Sequence, residues 1–204
     1  IDYQIKTINQ AVKNGVTSIR LHCLLDGRDV EARSALSYIK VLNKTISYLI
    51  NQNIDIKIAS GGGRMITTMD RYNADWKIVE RGYNAHVHGI GNPFSSIEDA
   101  VNMAYQDTSI TDQYIEPFVI VNNGDPVGKI KNGDTVFLTN FRGDRAIEIS
   151  QAFENELFTR FDRGSRPDIF FAGMMQYDGD CNIPQNYLVA PPTISHSLSY
   201  YLCK

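Results

Sequence analysis

Apolar residues recur along this chain in two alternating rhythms. In "DYQIKTINQAVKNG", Ile5, Ile8 and Val12 fall three and four apart and Gly15 follows, which predicts an amphipathic helix with a glycine stop. "TSIRLHCLL" then reads as a strand. "SALSYIKVLNKTISYLINQN" sets Leu36, Ile39, Leu42, Ile46 and Leu49 on one stripe of a long helix. "IDIKIAS" alternates apolar and polar positions as a strand does. "ADWKIVERGYNAHV" and "SSIEDAVNMAYQ" read as helices, the second opened by a Ser cap. "EPFVIVN" and "VGKI" read as short strands around the turn "NNGDP". "DTVFLTN" reads as a strand, "RAIEISQAFEN" as a helix and "PDIFFAGMMQ" as a last central strand.

Helix and strand alternate, and several strands are apolar throughout. That pattern predicts an α/β fold, a three-layer α/β/α arrangement with a mostly parallel central sheet. No internal repeat or low-complexity tract interrupts it. The stretch from Gly179 to Pro192 carries three prolines and reads as a loop leaving the domain. The expected division is a domain over 1–190, then an exit linker and the start of a truncated helix over 191–204. The chain opens at Ile1 directly in a helical pattern and closes on "SHSLSYYLCK", so it reads as a piece of a longer protein.

In open α/β sheets, ligands bind at the carboxyl ends of the strands. Three predicted loops leave such ends: "DGRDV", "GGGRMITTMDR" and "NFRGDR". All carry arginine: Arg28, Arg64, Arg71, Arg142 and Arg145. Each guanidinium is a planar fork of donors that matches carboxylate or phosphate oxygens two at a time. Gathering five cations is tolerable if a small anion of charge −2 or −3 sits among them, such as a phosphorylated carboxylic acid. Asp29 beside Arg28 is placed as counter-ion and as proton carrier for a nearby hydroxyl. Asp144, between two arginines, can do the same or orient them. The triplet Gly61, Gly62 and Gly63 lets backbone approach a ligand and offers a nest of amide donors. It matches neither GxGxxG nor a P-loop, which sets a dinucleotide-binding domain aside.

The 204 residues, 43% hydrophobic and 21% charged, fit one ordinary globular domain or two small ones. A net charge of −3 argues against a general nucleic-acid binder. Three unpaired cysteines, Cys23, Cys181 and Cys203, argue against a disulfide framework and for a reducing compartment. No apolar run is long enough to span a membrane. Cys23 and His22 read as packed strand residues. His86 and His88 read as part of a solvated face, and Tyr72, Trp76 and Tyr83 as helix packing.

"HCLLDGRDV", "SGGGRMITTMDRYNADW" and "NFRGDRAIEIS", in this order, resemble the phosphotransferase domain of the cofactor-independent phosphoglycerate mutases. The glycine triplet and the Arg64-to-Arg71 spacing look like the plant and trypanosomatid branch. The resemblance implies an enzyme interconverting 3-phosphoglycerate and 2-phosphoglycerate in glycolysis, a cytoplasmic monomer of two α/β domains. It implies a phosphatase-like second domain carrying two manganese ions and a phosphate-accepting serine. None of those metal ligands has a match here, so this chain is expected to hold no metal and to grip the glycerate. Arg28, Asp29, Arg64, Arg71, Arg142, Asp144 and Arg145 are the expected substrate contacts. Asp29, Arg28 and Arg142 carry the expected catalytic roles, with Asp29 as acid/base. Gly143 stands where many members have Pro, Ala or Ser, a change expected to matter little. A stand-alone phospholigand-binding module without catalysis is the alternative that the arginines alone allow.

Overall fold

The structure is a computed structural model; it describes residues 1–190 and 201–202. Helix α1 (Asp2–Lys13) and helix α2 (Ala35–Ile50) flank strand β1 (Ser18–Leu25) in sequence. The apolar stripes predicted for them meet the sheet: Ile8, Leu42 and Leu49 are buried with Ile56 of strand β2 (Asp55–Gly63). β1 and β2 pair in parallel, from Ser18 opposite Asp55 to Leu25 opposite Gly63. Their ends therefore lie side by side, which is what brings the first two arginine loops together.

Helix α3 (Trp76–Tyr83) runs into a π-turn at Asn84–His88 and stops at Gly89, in the left-handed region at φ 67°. Strand β3 (Asn92–Phe94), helix α4 (Ile97–Ala104) and strand β4 (Phe118–Asn122) form a crossover unit whose two strands are parallel. Ser96 caps α4 as expected, its hydroxyl accepting from the Asp99 N–H. β4 lies antiparallel to β2 and carries a short hairpin partner, β5 (Asp125–Pro126). A core of Leu25, Ile39, Val101, Phe118 and their neighbours seals α2 and α4 onto this sheet.

A second, three-stranded sheet is fully parallel. It orders β6 (Thr135–Leu138), β7 (Phe170–Met175) and β8 (Tyr187–Val189), with helix α5 (Ile147–Glu154) between β6 and β7 in sequence. Val79 and Tyr83 of α3 pack with Ile149, Ala152 and Phe153 of α5 and Phe171 of β7, so α3 belongs to this second core. Helices and mostly parallel strands thus make the α/β fold the sequence implies.

Two local expectations are corrected. "VGKI" is not a strand: the Val127 N–H donates to the Ile120 carbonyl, but a Cβ at Gly128 would meet Ala59 at 2.5 Å, so the chain turns there against β2. Within the proline-bearing stretch after Gly179, residues 187–189 are not loop but β8, paired to β7. The residues assigned to an exit linker and helix, 191–204, lie outside the described residues except Tyr201 and Leu202, which are helical.

Candidate functional site

β1 ends at Leu25 and the chain turns through Gly27, at φ 58°, into Arg28 and Asp29, both exposed. Only glycine takes that backbone geometry readily, and a Cβ there would also lie 2.8 Å from the Asp112 Cβ. Asp112 ties this loop down. It is buried, its Oδ2 accepts the Ser34 and Ala35 N–H groups at the start of α2, both at 2.9 Å, and its Oδ1 accepts the Tyr105 hydroxyl. The carboxylate satisfies orphan donors of the helix end and favours the positive pole there.

β2 delivers Arg64 beside this loop. The Arg64 N–H donates to the Leu25 carbonyl, and its Nη1 pairs with Asp26 Oδ1 at 2.8 Å. The glycines before it are used differently from the nest the sequence implied. A Cβ at Gly61 would lie 2.5 Å from the Phe118 ring, at Gly62 2.4 Å from Thr67 Oγ1, and at Gly63 2.3 Å from the Gln113 backbone. The Gly63 N–H donates to the Ile115 carbonyl and the Met65 N–H to that of Gln113. The triplet lets chain pack on chain.

The following loop doubles back on itself. Thr68, Tyr72 and Asn73 hold φ of 74°, 62° and 55°, a region sparsely populated by non-glycine residues. Arg71 Nη1 pairs with Asp144 Oδ2 at 2.8 Å, and Arg145 Nη1 donates to the Met69 carbonyl at 2.7 Å. Arg142 Nη1 reaches Asp29 Oδ2 at 3.1 Å. These three contacts knit the loop after β6 to both loops of the first sheet. The hydrogen bond from Arg71 holds the Asp144 carboxyl below the usual carboxylate range. Burial, then Arg71 and Arg64, press the Arg145 guanidinium below its ordinary value, as expected where like charges gather. Arg142 is 66% exposed, which leaves most of its donors open to a ligand. Arg28 is exposed on the same edge, and its side chain makes no hydrogen bond or ion pair among the described residues.

Several residues behave otherwise than the sequence implied. His86 is buried, not solvated. Its Nδ1 lies 2.9 Å from Ser60 Oγ and its Nε2 2.9 Å from Thr68 Oγ1, and Ser60 Oγ is in turn 2.7 Å from His22 Nδ1. Burial depresses His22 to about 4 and His86 well below 6.5, so both rings are neutral. This relay runs from the middle of the sheet to the strained Thr68 of the arginine loop. Tyr72 is 79% exposed beneath the Arg71 guanidinium, whereas Trp76 and Tyr83 do pack. Cys23 packs in the core, where burial pushes its thiol to about 12. A Cβ at Gly143 would lie 2.8 Å from the Tyr177 carbonyl oxygen, so a larger residue there must displace backbone.

Among the described residues no three His, Cys, Asp or Glu side chains gather to hold a metal ion. The candidate edge is lined by guanidiniums, which repel cations. These residues do not fit a metal, and no chemistry here is routed through one.

The fold and this edge define an α/β domain in which arginines from three loops gather at one edge. Residues 1–179 match the family described as the BPG-independent PGAM N-terminus, and the chain belongs to that family. It is 52% identical over 203 residues to a probable 2,3-bisphosphoglycerate-independent phosphoglycerate mutase of Leptospira interrogans, covering 99% of this chain and 37% of that protein. The Trypanosoma brucei brucei 2,3-bisphosphoglycerate-independent phosphoglycerate mutase is 48% identical, covering 98% of this chain and 36% of its own length. A crystal structure of Leishmania mexicana phosphoglycerate mutase, determined at low cobalt concentration, superposes with a TM-score of 0.95 at 46% identity, over 99% of this chain and 37% of that one. The chain thus spans little more than a third of the length of these relatives.

Proposed function

We propose that this chain is the substrate-gripping part of a 2,3-bisphosphoglycerate-independent phosphoglycerate mutase. In this reading residues 1–190 form the gripping domain. The remaining length of the relatives supplies a phosphatase-like domain with two manganese ions and the serine that carries phosphate between positions. The observation that carries the reading is the joining of three separate loops through Asp29–Arg142 and Arg71–Asp144, with Arg145 against Met69. It turns motifs distant in sequence into one cationic edge.

Phosphoglycerate offers that edge a carboxylate, a phosphate and a hydroxyl. Arg28, Arg64, Arg71, Arg142 and Arg145 neutralise the anionic groups and orient the glycerate. The positive charge gathered there stabilises phosphate as it leaves or arrives. Asp29 moves the proton of the glycerate hydroxyl once substrate displaces it from Arg142. The complete protein is a cytoplasmic monomer acting in glycolysis; among the described residues no helix is long and apolar enough to cross a membrane.

The test compares the complete protein with this chain, each given 3-phosphoglycerate and manganese. The complete protein is expected to form 2-phosphoglycerate and the isolated chain to bind weakly without turnover. Sustained turnover by the chain alone contradicts the reading. Tight binding of one phosphorylated ligand by the chain alone, with no activity in the complete protein, supports a non-catalytic module instead.

A further inference from the structure

Two buried carboxylates meet beneath the arginine loop, and the arginine chemistry described above uses neither. Glu148 lies in the first turn of α5, three residues after Arg145, and is 4% exposed; Asp70 precedes Arg71 and is 5% exposed. Each holds one arm of the doubled-back loop. Asp70 Oδ2 accepts the Asp75 N–H at 2.5 Å, and Glu148 Oε1 accepts the Asn73 N–H at 2.8 Å. Between these two tethers stand Arg71 and the left-handed pair Tyr72 and Asn73. Residues in that region persist only where surrounding contacts hold them.

The second oxygen of Glu148, Oε2, is buried and has no hydrogen-bond partner among the described residues. A bare buried carboxylate oxygen is strongly unfavourable. Burial, foremost, and then the Asp70 charge raise Glu148 above its ordinary value; the Asn73 N–H and the Arg160 guanidinium oppose them.

We propose that Glu148 is a positioning residue for Arg71: its Oε1 accepts the Asn73 amide while Asp70 holds the Asp75 amide, and the two clamp residues 70–75 in the shape that aims Arg71 at the bound anion. The inference rests on the reading that Arg71 contacts phosphoglycerate. Glu148 itself touches no substrate.

In the complete protein, Glu148→Gln keeps the hydrogen bond, since an amide oxygen still accepts from Asn73. It is expected to hold KM and kcat within about twofold of the parent, against about tenfold in KM for Glu148→Leu, which removes the acceptor. Hydrogen exchange at the Asn73 amide gives a readout independent of activity: slow in the parent and in Glu148→Gln, at least about tenfold faster in Glu148→Leu. If Glu148→Leu matches the parent in KM and in Asn73 exchange, the clamp does not exist. If Glu148→Gln is as impaired as Glu148→Leu in both, an acceptor at position 148 is not what holds the Asn73 amide, and the clamp falls. If the parent shows the exchange pattern but no mutase activity, the clamp stands and the functional reading falls.

Discussion

Replacing Asp112 by alanine should nearly unfold the edge that carries Arg28 and Asp29. Asp112 is 1% exposed and receives three hydrogen bonds: the Ser34 and Ala35 amides on Oδ2 and the Tyr105 hydroxyl on Oδ1. Asp112→Ala leaves three donors without their acceptor. Hydrogen bonds to a charged acceptor contribute about 1.5–3 kcal/mol each, but the Ser34 end of α2 is only half-buried, so water recovers part of that loss. Loss of a helix cap alone costs about 1 kcal/mol. The expected total is about 3–5 kcal/mol, a large share of the roughly 10 kcal/mol that holds a domain of this kind together. Asp112→Asn is the control. Its amide oxygen still accepts both backbone N–H groups and its NH2 donates to the Tyr105 oxygen, so only the charge is lost, at about 1–2 kcal/mol. Urea unfolding of the chain, followed by far-UV dichroism with the slope held in common, reads both values. Equal midpoints for Asp112→Ala and the parent would refute the claim that this carboxylate anchors the loop to α2.

Other perturbations follow from the same geometry. Arg142→Ala and Arg28→Ala in the complete protein should each lower kcat/KM by about 10²-fold with the unfolding midpoint unchanged, because both side chains are exposed; wild-type kinetics from either count against the assignment. Gly63→Ala should destabilise by about 2 kcal/mol or more, since its Cβ would lie 2.3 Å from the Gln113 backbone; urea unfolding checks it. His22 is held near 4 in the fold against 6.5 when unfolded, so below 6.5 the unfolded chain binds the extra proton and stability falls with pH until about 4. His22 alone should contribute about 2 kcal/mol of that fall between pH 7 and pH 5, with the buried His86 adding to it, so His22→Asn should make the profile shallower without flattening it; a parent profile already flat over that window contradicts the buried neutral rings.

The long elements were legible because each signals over many residues. α2 repeats its apolar stripe through four turns, β1 and β7 are largely apolar runs, and β2 alternates apolar and polar positions. β3 and β8 were missed: three residues each carry too little periodicity. Nothing local announces that β4 runs antiparallel to β2. That choice is made by packing of Phe118 against Gly61 and Cys23 across the sheet. The arginines were visible as loop residues after strands, and their partners Asp29 and Asp144 stand in the same motifs. Asp112, His86 and Glu148 were not visible. Asp112 acts on an amide 78 residues away, His86 on a serine 26 away and Glu148 on an amide 75 away. Such partners exist only once the fold does.

In the proposed function, loops from separate strands form one site for a small, multiply charged anion. The most direct test is a titration of the isolated chain with 3-phosphoglycerate to millimolar concentration, following the Nε–Hε resonances of its arginine side chains. Saturable shifts shared by Arg28, Arg64, Arg71, Arg142 and Arg145 are expected, with smaller effects from glycerate or inorganic phosphate alone. Shifts confined to one of these loops, or centred on arginines elsewhere such as Arg20 or Arg166, would contradict it.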